Sequence, residues 1–140
     1  MTDPAIPSPI ETVTNFFAEW SVSHQALLQS YRDYFTTETA MSNVGINTTV
    51  GIESHIEIIA RVREETGLAR IHVEILGIAA FDEHVFTERI DTGYDDAGRE
   101  LFRIPCAGVL EVRDGKILGW RDYIDASGVP LDISDALTGE

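Results

Sequence analysis

The sequence contains few cationic residues and a single cysteine. Its 140 residues include 10 lysines and arginines against 24 aspartates and glutamates, for a formal net charge of −14. A protein that binds nucleic acid or an anionic membrane surface needs a basic patch facing the phosphates, and this composition offers none. The lone Cys106 excludes an internal disulfide and a cysteine cluster for zinc. We therefore expect no nucleic-acid partner and no membrane partner.

Long apolar runs are also missing, and we expect no leader segment. No stretch has the apolar length that a membrane span requires. The opening residues, MTDPAIPSPI, have neither the basic region nor the apolar run of a signal peptide. An apolar content of 44% and a mean hydropathy near zero are typical of a globular protein in water. We expect a cytoplasmic protein with one domain over residues 1–140 and a loose tail at about residues 1–7.

The motifs of the common cofactor and nucleophile sites are absent. There is no glycine-rich phosphate loop, and Ser42 lacks the context of a nucleophile elbow. Cys106 lies in an apolar strand without an adjacent base, so we interpret it as a pocket-wall residue rather than a nucleophile. The histidines lie on separate elements without metal-ligand spacing, and we expect no metal and no cofactor. They are His24, His55, His72 and His84.

Hydrophobic periodicity predicts helices first and strands afterwards. The predicted helices span about residues 10–20, 24–34 and 52–65, with Ser8 and Pro9 starting the first and Gly67 ending the third. A short strand is predicted at 40–44, between a polar junction at 36–39 and a loop at 45–51. Longer strands are predicted at 70–80, 85–91, 100–112 and 116–125, and a short helix near 133–137. This order is typical of an α+β fold, in which helices on one side of a curved antiparallel sheet leave a pocket.

The strand after the Asp114-Gly115 turn carries the first candidate site residue. Side chains alternate between the faces of a strand, so Leu118, Trp120 and Asp122 are predicted to share one face. Asp122 is then the one ionisable group in an apolar row. A carboxylate there needs a partner, or its pKa rises as the charged form loses hydration. A carboxyl group of that kind is suited to general acid/base catalysis.

The segment FTERID, residues 86–91, supplies a possible partner. Arg89 and Asp91 are two apart and share a strand face. The planar guanidinium has five donors and could bridge Asp91 and Asp122 if the two strands lie near each other. Two carboxylates in different environments can act as an acid and a base. The same pattern also fits a surface ion-pair set, and a buried Asp can serve only to bind backbone amides.

Two further features extend this candidate site. Asn43, flanked by apolar residues, could position a water molecule, although a turn residue entering the Gly45 loop fits equally well. Strand 100–112 places an apolar row on one face, which is predicted to line the core or a pocket. That row includes Phe102, Ile104, Cys106, Gly108 and Leu110.

Two segments together resemble a known family. FTERID at 86–91 and GWRDYID at 119–125 resemble the two signature strands of the limonene-1,2-epoxide hydrolase family, and the order of elements is similar too. The resemblance implies a cone-shaped fold of the nuclear transport factor 2-like and SnoaL-like superfamily. In that fold, N-terminal helices pack on a curved, mixed but mostly antiparallel sheet that encloses a pocket. Ketosteroid isomerase and small polyketide cyclases share this scaffold, so the fold alone does not define an activity.

The resemblance also implies residue roles. Asp122 matches the base that activates water, Asp91 the acid that protonates the epoxide oxygen, and Arg89 the bridge between them. Asn43 matches a residue that holds the water. No cofactor takes part, and a homodimer is implied.

A small, mostly apolar epoxide and water are the implied reactants, and a vicinal diol is the product. Trp120, Ile104, Cys106 and Leu118 would form apolar walls. Met41 stands where the family has a tyrosine that also holds the water, and a thioether cannot replace its hydrogen bond. An isomerase or cyclase, including one that opens an epoxide intramolecularly, and a non-catalytic ligand-binding module remain alternatives.

Overall fold

The structure, a computed structural model, describes residues 6–125, 127 and 129–138. Most of the loose tail expected at residues 1–7 lies outside the described residues. The elements follow the predicted order of helices, then strands, then a short helix. They are α1 (Pro9–Glu19), α2 (His24–Tyr34), β1 (Phe35–Asn43), β2 (Asn47–Val50), α3 (Ile52–Thr66), β3 (Leu68–Phe81), β4 (His84–Asp95), β5 (Glu100–Arg113), β6 (Lys116–Ile124) and α4 (Leu131–Thr138).

The strands form one curved sheet in the order β2-β1-β6-β5-β4-β3. Only the β1–β6 pairing is parallel within this described sheet, and the other neighbours are antiparallel. The helices pack against the sheet around a core that is rich in aromatic side chains from α1 and α2. The α+β, cone-shaped fold with a mixed sheet is therefore confirmed.

The helix ends follow from the local sequence. Ser8 Oγ accepts a hydrogen bond from the amide of Glu11 at 3.1 Å, and Pro9 occupies the first turn of α1. Gly67 ends α3 in the left-handed region at φ 83°, where glycine has no side chain to clash. Trp20 Nε1 donates to Ser30 Oγ at 3.0 Å, which joins the end of α1 to α2 inside the core. The two caps thus fix where the helices begin and end, and the Trp20–Ser30 bond holds the end of α1 against α2.

Two segments that were predicted as irregular belong to strands. The polar junction at 36–39 lies inside β1, and the predicted loop at 45–51 contains β2. Thr39 is fully buried, and its hydroxyl donates to the carbonyl of Ile117 on the neighbouring strand. The prediction was wrong because both segments are polar and show no hydrophobic alternation, although β2 pairs with β1 in a hairpin and β1 pairs with the distant β6.

The predicted face of β6 was wrong at Leu118. Val112 of β5 lies opposite Ile117, whereas Glu111 lies opposite Gly119, so Leu118 is an extra residue at a bulge. Ile117 is consequently fully buried on the inner face, and Leu118 is only half-buried. Alternation resumes after the bulge, which leaves Trp120 and Asp122 inside.

None of the helices in the described part of the chain combines the length and apolar character needed to cross a bilayer.

Candidate active site

Arg89 reaches Asp122 by crossing an intervening strand. The strands β4 and β6 are not neighbours, because β5 lies between them, and Gly108 of β5 pairs with Thr87 on one side and Asp122 on the other. A Cβ atom on Gly108 would lie 2.1 Å from Asp122 Oδ1 and 2.7 Å from Arg89 Nη1. Only glycine leaves this space open. The sequence analysis placed Gly108 in an apolar row and missed this role, although a glycine inside a strand often marks a close approach.

The guanidinium of Arg89 uses all five of its N–H donors. Nε donates to Asp91 Oδ1 at 3.2 Å, and Nη2 donates to Asp91 Oδ2 at 2.9 Å and to Asp122 Oδ2 at 2.8 Å. Nη1 donates to Asp122 Oδ1 at 3.0 Å and to the Thr87 hydroxyl at 3.1 Å. Arg89 is fully buried. With every donor occupied, it positions the two carboxylates and has no donor left for a ligand.

The electrostatic environment keeps Arg89 charged and raises the pKa of Asp122. Burial opposes the charge of Arg89, but Asp122 and Asp91 together raise its pKa. Burial also raises the pKa of Asp122, with a further increase from Asp91, whereas Arg89 acts in the opposite direction. Two carboxylates around one fixed cation carry one excess negative charge, and a single proton on the pair removes it. The group is therefore suited to hold one proton and to transfer it.

Each carboxylate also accepts a hydrogen bond from a second side chain. Trp120 Nε1 donates to Asp122 Oδ1 at 2.6 Å, so Trp120 fixes the carboxylate two residues away on the same face. Cys106 Sγ donates to Asp91 Oδ2 at 3.6 Å. Burial raises the pKa of Cys106 and keeps its thiol protonated, which suits it as a donor and not as a nucleophile.

A cavity of about 140 Å³ opens beside this group. Its wall contains six of the predicted site residues, and it does not contain Arg89, Cys106 or Leu118. Arg89 lies behind the carboxylates, Cys106 contacts Asp91 from within the sheet, and Leu118 is turned away by the bulge. The predicted residues on the wall are Met41, Asn43, Asp91, Ile104, Trp120 and Asp122.

Asn43 lies next to Asp122 and is oriented by a second asparagine. The two residues pair across the parallel β1–β6 register. Asn43 Nδ2 donates to Asn47 Oδ1 at 2.9 Å, and Asn47 Nδ2 faces the carbonyl of Leu137 at 3.4 Å. Because a carbonyl only accepts, this chain directs the Asn43 amide nitrogen toward Asn47 and leaves its Oδ1 as an acceptor. The sequence analysis missed Asn47, which lies in the strand that it had assigned to a loop.

Three side chains of the site could in principle hold a metal ion. The oxygen or sulfur atoms of Asp91, Cys106 and Asp122 lie within 4.8 Å of one another. A metal ion there would have to displace Arg89, which already binds oxygens of both carboxylates. The neutral thiol is also a poor ligand, since metals bind the thiolate. The chemistry of this set fits proton transfer better than metal binding.

Comparison with known proteins supports the family that the two signature strands suggested. The family model described as the limonene-1,2-epoxide hydrolase catalytic domain matches residues 7–132. The chain belongs to this family. The site described above thus lies within the part of the chain that the limonene-1,2-epoxide hydrolase model covers.

Solved structures share the fold. An LEH-like epoxide hydrolase from M. tuberculosis has 25% identity and a TM-score of 0.70, with 97% of this chain and 89% of that chain covered. A protein with a ketosteroid isomerase-like fold from Catenulispora acidiphila, in complex with trimethylamine, has 25% identity and a TM-score of 0.65, covering 99% and 95%. A putative SnoaL-like polyketide cyclase from Jannaschia sp. has 19% identity and a TM-score of 0.68, covering 100% and 98%, and shows the fold alone.

Proposed function

We propose that this protein is a cofactor-independent epoxide hydrolase that converts a small epoxide to a vicinal diol. The observation that carries the proposal is the clamp in which buried Arg89 holds Asp91 and Asp122 side by side at the wall of a cavity. A surface ion-pair set, the alternative that the sequence left open, does not account for an arginine that is fully buried. Membership of the family supports the same reaction.

The reaction needs a base for water and an acid for the epoxide oxygen. A water molecule that donates one hydrogen to Asn43 Oδ1 and the other to Asp122 has a lone pair free for attack. Asp122 takes the proton while the water oxygen bonds to an epoxide carbon. The carbon–oxygen bond of the ring breaks in the same step, and protonated Asp91 gives its proton to the departing oxygen. Epoxide and water are consumed, and one diol forms.

The assignment of roles to the two aspartates has geometric support. Asp122 lies beside Asn43 in the strand register, which is where a water bound to Asn43 would stand. Asp91 is the more exposed of the two side chains, at 15% against 6%, so it reaches further toward a ligand. Both carboxylates keep their places through Arg89, so a proton on one and a charge on the other can coexist.

The test is diol formation from a panel of small cyclic and terpene epoxides in ¹⁸O-labelled water. We expect one atom of solvent oxygen in each diol, because the attacking oxygen comes from water. A folded protein that leaves every epoxide of the panel unchanged would count against the proposal. Heat-denatured protein serves as the control for spontaneous hydrolysis.

A second candidate function is isomerisation or cyclisation, in which a hydroxyl of the substrate opens the epoxide. Met41 favours it, because this thioether lines the cavity where the family has a water-holding tyrosine. Ser42 cannot take over that role, since its hydroxyl is paired with Thr48 on the exposed side. The same labelling experiment separates the two functions: a cyclised or isomerised product contains no solvent oxygen.

We further propose a homodimer, as the family resemblance implies. The outer face of the sheet exposes large apolar side chains, among them Phe81 at 72%, Phe86 at 47% and Tyr123 at 49%. An apolar face of this kind is typical of an interface between copies. Sedimentation equilibrium should give twice the chain mass of 15.5 kDa, and a monomer at micromolar concentration would refute the dimer.

A further inference from the structure

A buried histidine on the cavity wall has an acceptor that no described residue satisfies. His55 lies in the first turn of α3, and its ring is stacked on Tyr31 with 5.5 Å between the centroids. Both rings line the cavity that also contains Asp91 and Asp122. Nε2 of His55 is shielded from solvent and lacks a hydrogen-bond partner within the described part of the chain. The clamp and Asn43 make no use of this residue.

The other ring nitrogen fixes the role of Nε2. Nδ1 lies 2.6 Å from the carbonyl oxygen of Gly51, which can only accept, so Nδ1 carries the proton. In the neutral ring, Nε2 is then an acceptor. Burial lowers the pKa of His55 and so favours the neutral ring, although the bond to Gly51 acts in the opposite direction. Nε2 has almost no surface open to the cavity, so the ring must turn slightly to admit a donor, which then meets an available lone pair.

A buried acceptor without a donor is costly, and native structures rarely contain one without a reason. The side chains of α3 that line the cavity beyond His55 are aliphatic and have no donor to offer. An epoxide oxygen only accepts hydrogen bonds, and a hydrocarbon ring offers no donor. A plain apolar epoxide would thus leave Nε2 unpaired.

We propose that His55 Nε2 binds a hydroxyl or N–H group of the ligand, while the epoxide of the ligand lies at Asp91 and Asp122. The ligand class is therefore a small cyclic epoxide that carries one hydrogen-bond donor. A volume of about 140 Å³ resembles that of an engineered cavity of about 150 Å³ that holds benzene, so a ring of about six carbons fits. Only the identity of the reacting group rests on the proposed hydrolase function.

The test uses ligands without an epoxide, so that it does not depend on turnover. Cyclohexanol carries the donor, and methoxycyclohexane keeps the oxygen but lacks the donor. Calorimetric titration of the full chain should show cyclohexanol binding about tenfold more tightly, which corresponds to one net hydrogen bond. The ¹⁵N resonance of His55 Nε2 should move toward its protonated value with cyclohexanol and remain in place with the ether.

The variant His55→Phe keeps an aromatic ring and removes the acceptor, and it should bind the two ligands equally. His72→Phe, the same substitution at an exposed position of β3, should retain the preference. If His55→Phe does not fold, the ¹⁵N measurement on the wild-type protein still decides. Equal binding by the wild type, or an Nε2 resonance that does not respond to the alcohol, overturns the inference.

The outcomes also separate this inference from the proposed function. If the alcohol preference is present and no epoxide is hydrolysed, the donor site stands and the hydrolase proposal falls. If epoxides are hydrolysed and the alcohol has no advantage over the ether, the hydrolase proposal stands and the donor site falls.

Discussion

Asp122→Asn should lower kcat for diol formation by about 10²- to 10⁴-fold, the usual contribution of a general base. An amide cannot take the proton from water. In the wild type, Arg89 donates to both carboxylate oxygens of Asp122, so the amide nitrogen of the variant would face an N–H group of Arg89. Steady-state kinetics with the best epoxide of the panel measures the loss. Circular dichroism should show a folded variant, because Arg89 keeps Asp91 as a counterion.

Asp33→Asn is the matched control, since it makes the same chemical change at an exposed position near the end of α2. It should leave kcat within the error of the wild type. If Asp122→Asn retains most of the wild-type kcat, then Asp122 is not the base, and the roles of the two aspartates have to be reconsidered.

The pH profile of the wild-type protein gives a second readout of the same pair. The active form holds one proton, so the rate should fall at low pH when a second proton binds and at high pH when the remaining proton leaves. Asp122 must be ionised to take the proton from water, and burial raises its pKa, so it binds a proton at a higher pH than an ordinary aspartate does. The acid limb of kcat/KM should therefore lie above about 3.9, the ordinary value for aspartate. An acid limb at or below that value contradicts the role of Asp122 as the base.

Gly108→Ala should lower the free energy of unfolding by about 3–5 kcal/mol, which is typical of breaking a buried ion pair. The new Cβ would lie 2.1 Å from Asp122 Oδ1, so the carboxylate must move away from Arg89 or the strands must separate. Either change leaves a fully buried cation short of a partner. The rate of diol formation should also fall, because the displaced carboxylate of Asp122 no longer lies beside Asn43. Chemical denaturation at 25 °C and the epoxide assay measure the two effects.

Gly77→Ala provides the control for the general effect of adding a methyl group to a strand glycine. A Cβ atom at Gly77 meets nothing within 4 Å, and this residue lies on the exposed part of β3. Its free energy of unfolding should stay within about 0.5 kcal/mol of the wild type. If Gly108→Ala is as stable and as active as Gly77→Ala, then Arg89 does not reach Asp122 over Gly108.

The sequence by itself determined the helices, the four long strands and the members of the clamp. Helical periodicity and capping residues act over a few positions, so the ends of α1 and α3 could be predicted from Ser8 and Gly67. Asp122 stood out because a carboxyl group among apolar side chains conflicts with the energetics of burial. Arg89 and Asp91 stood out because their spacing places both on one face of a strand.

The tertiary structure decided what depends on contacts between distant segments. The position of β5 between β4 and β6 made Gly108 essential to the clamp. The Asp114-Gly115 turn indicates that β5 and β6 are neighbours, but no local signal places Gly108 opposite Asp122. The bulge at Leu118 shifted alternation by one residue, because register is set by pairing with β5 and not by the strand alone. Asn47 reached the cavity through the β1–β2 hairpin, and His55 through the packing of α3. Sequence patterns report local preference, whereas a site is assembled by pairing and packing across the whole chain.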